Sequence, residues 1–257
     1  MNNIFITGIT GVMGGHLIKI IERHPYCNVV GGLGHVTHVD ERYPIYTNFS
    51  EIPYHLEIDC IIDFSNAAIV DALLDFALSR KTPLVLCTTG LSEKTNEKVI
   101  TTSEQIPVFK SGNMSLGINA ISHAIKLVSE LLDESYDVEI IEKHHNRKLD
   151  APSGTALMLA DAVNEGKNTP YEVALGRSAH GAKQKDIINM HSVRGGNIVG
   201  EHEVLFAGEE ELIEIKHTAL DRGVFAKGAI EAALFLITQT AGLYDMNHLI
   251  QNKLSNR

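Results

Sequence analysis

Ile4-Phe5-Ile6 leads directly into Gly8-Ile9-Thr10-Gly11-Val12-Met13-Gly14, and Met13, Leu17, Ile20 and Ile21 then fall on one face of a helix. An apolar strand, a turn with glycine at every third position and an amphipathic helix leave few folds open. Glycines let the backbone turn sharply and approach a bound group closely, and the first amides of the helix favour an anion such as a pyrophosphate. The spacing is GxxGxxG, not the commoner GxGxxG, but the physics of the turn is the same. A ligand-free turn would use the same glycines; the position between strand and helix favours the ligand.

The alternation continues through Val29-Val30, which runs into Gly31-Gly32-Leu33-Gly34, then Cys60-Ile61-Ile62, Leu84-Val85-Leu86 and Ile106 to Phe109. Between these short runs lie helical segments. Ser65 or Asn66 can cap the one carrying Ala68, Ala72, Phe76 and Leu78, and Ser92 can cap the next. Strands that are apolar on both sides belong to a sheet covered on both faces. The pattern therefore predicts an α/β fold whose N-terminal part is a Rossmann-like doubly wound parallel sheet, with ligands beyond the carboxyl ends of its strands. An NAD site commonly places an acid after the second strand, on the adenosine ribose. Here no acid occurs before Asp40, so either the ribose is held without one or His35 or His38 helps accept a phosphorylated ribose. NADH and NADPH both stay open.

The character changes after residue 114. Ile118, Ile121, Ile125, Val128 and Leu132 mark a long helix, Val138 to Ile141 a strand, and Ala156, Leu157, Ala160 and Val163 another helix. Ile187 to Val193, Glu201 to Ala207 and Leu212 to Thr218 are β-like, the last two joined across Gly208-Glu209-Glu210 as an antiparallel hairpin. This predicts a second, α+β domain with an open mixed sheet. The expected division is a dinucleotide-binding domain over 1–114, a substrate and oligomerisation domain over 115–223, and a C-terminal helix over 224–257 that completes the first. Phe225 to Thr240 is its clearest part.

Length and charge narrow the partners. At 257 residues the chain has room for two modest domains, and its 44% apolar and 21% charged content is that of a folded globular protein. A net charge of -10 argues against nucleic acid, which is bound by clustered Lys and Arg. The N-terminal residues lack the basic and apolar regions of a signal peptide, and no stretch approaches the ~18 apolar residues that span a bilayer. Cys27, Cys60 and Cys87 are widely spaced in apolar surroundings, which suits reduced thiols and no metal site. These features predict a cytoplasmic protein.

Within this acidic chain, Lys143, Arg147 and Lys148 flank the adjacent imidazoles of His144 and His145. Such a loop is often no more than a solvated connection. Here Pro152-Ser153-Gly154-Thr155 follows and starts a helix, which brings the amides of Gly154 and Thr155 to a position where they can hold a carboxylate. Lys148 can place a point charge on the same anion or on a second one. Either histidine can give or take a proton near neutrality. His16, His24, His55, His123, His191, His202 and His217 have no such neighbourhood and read as surface or core histidines.

The stretch EKHHNRKLDAPSGTAL, Glu142 to Leu157, closely resembles the signature HHxxKxDAPSGTA of the 4-hydroxy-tetrahydrodipicolinate reductases, formerly called dihydrodipicolinate reductases. GITGVMG, IIDFSNAAIV, LCTTGL, SGNMSLGIN and the segment from Ser192 to Ala229 resemble other parts of that family, so the similarity covers nearly the whole chain. The resemblance implies reduction of a cyclic dicarboxylate imine with NADH or NADPH in lysine and diaminopimelate biosynthesis, by a homotetramer. It implies that His144 is the proton donor or acceptor and that Lys148 is a second proton donor that also binds substrate. His145, Gly154 and Thr155 become substrate ligands. The cofactor falls to Gly8, Ile9, Thr10, Gly11, Val12 and Met13, to Cys87, Thr88 and Thr89, and to Ser111, Gly112, Asn113 and Met114. Cys87 replaces a usual glycine and Met114 a usual phenylalanine, and both departures bear on the cofactor alone. The rival readings are another imino-acid or amino-acid dehydrogenase and a non-catalytic dinucleotide sensor.

Overall fold

The computed structural model describes residues 1–35, 42–177 and 180–256, which form two units, Met1–Leu116 with Arg222–Arg257 and Gly117–Asp221. His38 and Asp40 lie outside the described residues.

The first unit runs β1 (Asn2–Thr7), α1 (Val12–Ile21), β2 (Cys27–Leu33), β3 (Ile45–Tyr46), β4 (Cys60–Asp63), α2 (Val70–Arg80), β5 (Leu84–Leu86), α3 (Glu93–Ser103) and β6 (Pro107–Lys110). Alternation along these strands explains why both faces are covered. Ile4, Ile6, Cys60, Ile62, Val85 and Phe109 point into one core, whereas Phe5, Ile61, Leu84, Leu86 and Val108 point into another. Asn66 caps a 3-10 turn, Ala67–Ile69, ahead of α2, and the Ser92 hydroxyl accepts from the Thr95 amide to cap α3.

The second unit contains α4 (Leu116–Leu131, whose first residue belongs to the first unit), β7 (Asp137–His144), α5 (Gly154–Glu165), β8 (Glu172–Leu175), β9 (Ile187–Arg194), β10 (Gly200–Ala207) and β11 (Leu212–Ala219). Its five-stranded sheet has the order β11-β10-β7-β9-β8. β10 pairs antiparallel with β7 and β11, and β9 pairs parallel with β7 and β8, so the sheet is mixed as expected. Val138, Ile140, Val204, Phe206, Ile188 and Met190 share one face and meet residues of α4 and α5 in the core. At the ends of the same strands that face becomes polar.

The chain then returns to the first unit with α6 (Gly223–Leu236), β12 (Gly242–Tyr244) and α7 (Met246–Ser255). This differs from the single helix expected over 224–257. Residues after Leu236 leave the helix, Leu243 pairs with Val108 to add β12 to the sheet edge, and Asp245 opens α7 with a capping box. Gly242-Leu243-Tyr244 begins with glycine and is not the aliphatic run that marks the equally short β5, so α6 and α7 merge in a reading of periodicity. Among the described residues the completed sheet has seven strands in the order β12-β6-β5-β4-β1-β2-β3, all paired in parallel. Among the described residues no helix is long and apolar enough to cross a membrane.

Candidate active site

β1 lies between β4 and β2, so strand order reverses there and opens a crevice at the carboxyl ends of β1 and β4. Gly8 stands in that crevice with φ +81°, and a Cβ on it would lie 2.4 Å from the Phe64 carbonyl oxygen. A Cβ on Gly14 would lie 2.3 Å from the carbonyl oxygen of Ile9, so both turns of the loop need glycine. Gly11, at the N-cap of α1, puts no side chain over the first amides of the helix. A cavity of about 330 Å³ opens beside them, its walls including Gly8, Thr10, Gly11, Gly34, His35 and Ser65. This cradle of backbone donors at a helix N-terminus fits a dinucleotide.

Cys87, Thr88 and Thr89 follow β5 and Ser111 to Met114 follow β6, so both further loops leave the same edge of the sheet as the Gly8 turn. Ile9 and Met114 are buried in the core, and the Ile9 amide donates to the Leu33 carbonyl at 3.1 Å. Burial pushes the Cys87 thiol well up, with Asp63 and Cys60 adding to the effect, so it stays neutral. One side chain missed from the sequence organises these loops. Asp63, fully buried at the end of β4, accepts from the hydroxyls of Thr7 and Ser65 at 2.5 Å each and of Thr88 at 2.6 Å.

In the second unit, His144 ends β7 and is 9% exposed. Its Nδ1 lies 2.5 Å from Oε2 of Glu142, a carboxylate with no exposure at all. Arg194 on β9 donates to both oxygens, Nη1 to Oε2 at 2.8 Å and Nη2 to Oε1 at 2.6 Å. The same Nη2 donates to the Asp150 carbonyl at 2.8 Å, and the Ser153 amide donates to Oε1 of Glu142 at 3.3 Å. Burial alone raises the Glu142 carboxyl, but hydrogen bonds from Arg194, Ser192 and His144 outweigh it and hold it at about 2. Glu142 is therefore ionised at neutral pH.

Ser153 caps α5, accepting from the Ala156 amide at 3.1 Å, and its hydroxyl lies 2.9 Å from Nε2 of His202. The His202 ring crosses that of His144 with centroids 5.1 Å apart. Burial, helped by His144, pushes His202 down to about 4, so it is neutral. His145 is half-buried in the loop. Lys148 pairs with the exposed Asp150 carboxylate at 2.8 Å, a contact weak enough in water to yield to a ligand. Gly154, exposed at the first position of α5, keeps an amide that lacks an acceptor within the helix, and Thr155 lies next to it. The unit thus brings His144, His145, Lys148, Gly154 and Thr155 into one loop and helix start. Glu142 had one sequence signal, two positions before His144 on the same strand face. Arg194 and His202 had none, since only sheet pairing brings them there.

The family model described as dihydrodipicolinate reductase, N-terminus, matches residues 2–114, and the one described as dihydrodipicolinate reductase, C-terminus, matches residues 117–250. The chain belongs to the dihydrodipicolinate reductase family. A 4-hydroxy-tetrahydrodipicolinate reductase of Clostridium novyi (strain NT) is 41% identical over 253 residues, 98% of this chain and 100% of that protein. Its counterpart from Caldanaerobacter subterraneus subsp. tengcongensis is 44% identical over 252 residues, 98% of this chain and 99% of the relative. Among solved structures, a dipicolinate-bound dihydrodipicolinate reductase from Paenisporosarcina sp. TG-14 has a TM-score of 0.78 at 22% identity, covering 95% of this chain and 97% of the other. The dihydrodipicolinate reductase fold extends to more distant proteins. A myo-inositol dehydrogenase from Corynebacterium glutamicum ATCC 13032 has a TM-score of 0.63 at 15% identity, covering 94% of this chain and 90% of the other.

Proposed function

We propose that this protein reduces 4-hydroxy-tetrahydrodipicolinate to tetrahydrodipicolinate with NADH or NADPH, in lysine and diaminopimelate biosynthesis. The observation that carries this reading is an imidazole, His144, backed by a buried carboxylate and set beside Lys148 and the N-terminus of α5. A proton donor next to a cationic and amide-lined cradle suits an anionic acceptor that takes a hydride and a proton. The relatives that match over nearly the full chain carry the name of this activity.

In this reading the first unit holds the dinucleotide, with its pyrophosphate at Gly8 to Met13 and the remainder along Cys87 to Thr89 and Ser111 to Met114. The reduced nicotinamide supplies the hydride when bound. In the second unit Gly154, Thr155, Lys148 and His145 hold the dicarboxylate. Loss of water from the hydroxy-imine gives a conjugated ring, and hydride with one proton from His144 or Lys148 then gives the product. Fixing the acceptor in this way lowers the barrier by several kcal/mol, on the order of 7–11 in the best cases.

The face of the five-stranded sheet opposite α4 and α5 presents Glu139, Ile141, Lys143, Glu201, Glu203 and Leu205. On this reading it is where the chain assembles into a homotetramer, and the protein works in the cytoplasm. Sedimentation velocity tests the first point: a monomer at micromolar concentration removes it. The deciding experiment for function is a coupled assay with enzymically generated 4-hydroxy-tetrahydrodipicolinate, run separately with NADH and NADPH. Oxidation of reduced nicotinamide that depends on the imine is expected. Cofactor binding with no oxidation would make the protein a sensor, and oxidation with amino-acid or imino-acid substrates alone would make it a different dehydrogenase.

A further inference from the structure

Strand register places two rows of side chains across the polar end of the second sheet. The first row runs from Ser192 on β9 through Glu142 on β7 and His202 on β10 to His217 on β11. The next pairs Arg194 on β9 with His144 on β7, and Gly200 on β10 with Ala219 on β11. The first row is polar and grips the imidazole from behind. In the second, the positions beside His144 on β10 and β11 are the two smallest residues available.

A Cβ built on Gly200 would lie 3.2 Å from Nε2 of His144 and 3.5 Å from its Cδ2, so this glycine faces the far nitrogen of the ring. The ring cannot readily move aside. Its Nδ1 is 2.5 Å from Glu142, and the His202 ring packs across it. An ionised carboxylate only accepts hydrogen bonds, so the hydrogen between Glu142 and His144 belongs to Nδ1. In the neutral ring the lone pair is then on Nε2, above Gly200. Glu142 is itself fixed by Arg194 and by the Ser153 amide, and Arg194 also holds the Asp150 carbonyl. One buried carboxylate therefore sets the imidazole, the loop that carries Lys148 and the first turn of α5 relative to one another.

We propose that Nε2 of His144 is the atom that exchanges the proton with bound substrate, that Glu142 is the positioning residue that fixes its tautomer, and that Gly200 keeps the substrate's place over Nε2 open. The proposal rests on His144 being the proton donor. The charged and titratable groups around the ring are Glu142 on its own strand, Arg194 on β9, His202 on β10 and His217 on β11, with Lys148 acting from the loop. His202 is neutral and occupied with Ser153, so it does not compete for the proton.

The first test is nitrogen-15 NMR of the histidine rings in the intact chain, with His144→Gln to assign the signal. In the neutral form of His144 hydrogen is expected on Nδ1, and a neutral ring with its hydrogen on Nε2 would overturn the proposal whatever the activity. In the Gly200→Ala protein, pyridine-2,6-dicarboxylate should bind about tenfold or more weakly, the effect of one overpacked methyl group, with NADPH affinity unchanged. Unaltered dicarboxylate affinity removes the place over Gly200. In Glu142→Gln the neutral ring should lose its preference for hydrogen on Nδ1, because a carboxamide can donate as well as accept, and kcat should fall about tenfold or more while KM changes little. An unchanged tautomer and kcat in a folded variant overturn the role of Glu142; if that variant fails to fold, the tautomer of the intact chain and Gly200→Ala decide. Because the tautomer is read without turnover, absence of imine reduction would count against the proposed function alone.

Discussion

Each unit of this protein is organised around a buried carboxylate, and the two carboxylates have opposite surroundings. Asp63 in the first unit is met by the hydroxyls of Thr7, Ser65 and Thr88 and by the Ser65 amide, all neutral donors. Glu142 in the second unit is met by a bidentate Arg194 and by an imidazole. Hydroxyls can turn to suit a changed partner; a guanidinium cannot give up its charge. Asp63 ties together the loops that leave β1, β4 and β5 and leaves the chemistry to whatever they hold. Glu142 determines where a proton resides. Buried charge serves as scaffold in one unit and as control of reactivity in the other.

That contrast breaks or sharpens on four measurements. The largest effect is expected from Arg194→Met, which strands Glu142 without its cation and should destabilise the second unit by about 3–5 kcal/mol in urea unfolding. A loss below about 1 kcal/mol would mean that the pair is no more than a surface contact. Next comes a pH effect. His202 binds its proton less readily folded than unfolded, so between about pH 6.5 and the folded value of about 4 the unfolded state carries more protons and stability falls as pH falls. His202→Gln should remove that part of the slope, on the order of 2–3 kcal/mol across the window. An identical pH dependence in the variant would show that His202 is not held neutral.

A smaller effect separates the units by ligand. Asp63→Asn keeps most of its hydrogen bonds and leaves no charge unpaired, so it should cost about 1–2 kcal/mol and weaken NADPH several-fold while pyridine-2,6-dicarboxylate binds as before. Lys148→Ala should do the reverse, weakening the dicarboxylate and sparing NADPH. If either variant lowered both affinities equally, the division of labour between units would fail. The smallest effect distinguishes two helix caps. Ser92→Ala and Ser153→Ala each remove a side-chain cap worth about 1 kcal/mol, yet only Ser153→Ala should change dicarboxylate affinity, because only Ser153 also bonds His202. Calorimetry on both variants decides this.

Much of the architecture could be read from local pattern. The doubly apolar strands, the Gly8 turn, the Ser92 cap and the helix that starts after Pro152 are short-range features, and each is where its spacing predicts. The two-residue β3 and three-residue β12 were not visible: β5 is as short as β12 but is an unbroken aliphatic run, whereas Ile45-Tyr46 and Gly242-Leu243-Tyr244 are strand only because a neighbour supplies their hydrogen bonds. The loop with His144, Lys148 and Gly154 was equally plain, being contiguous in sequence. Its support was not. Glu142 and Arg194 are 52 residues apart, and Ser153 and His202 are 49 apart.

The sequence by itself determined that the chain has a dinucleotide-type turn, a parallel sheet covered on both faces and a basic loop leading into a helix, because these follow from residue type and spacing within a few turns. Which nitrogen of His144 meets Glu142, which cation keeps Glu142 ionised and that Gly200 lies beside the far edge of the ring were settled only by tertiary structure. The physical reason is register. Pairing β9, β7, β10 and β11 in one alignment puts Arg194, Glu142, His144, Gly200 and His202 side by side, and a slip of one residue would turn each of them to the other face of the sheet.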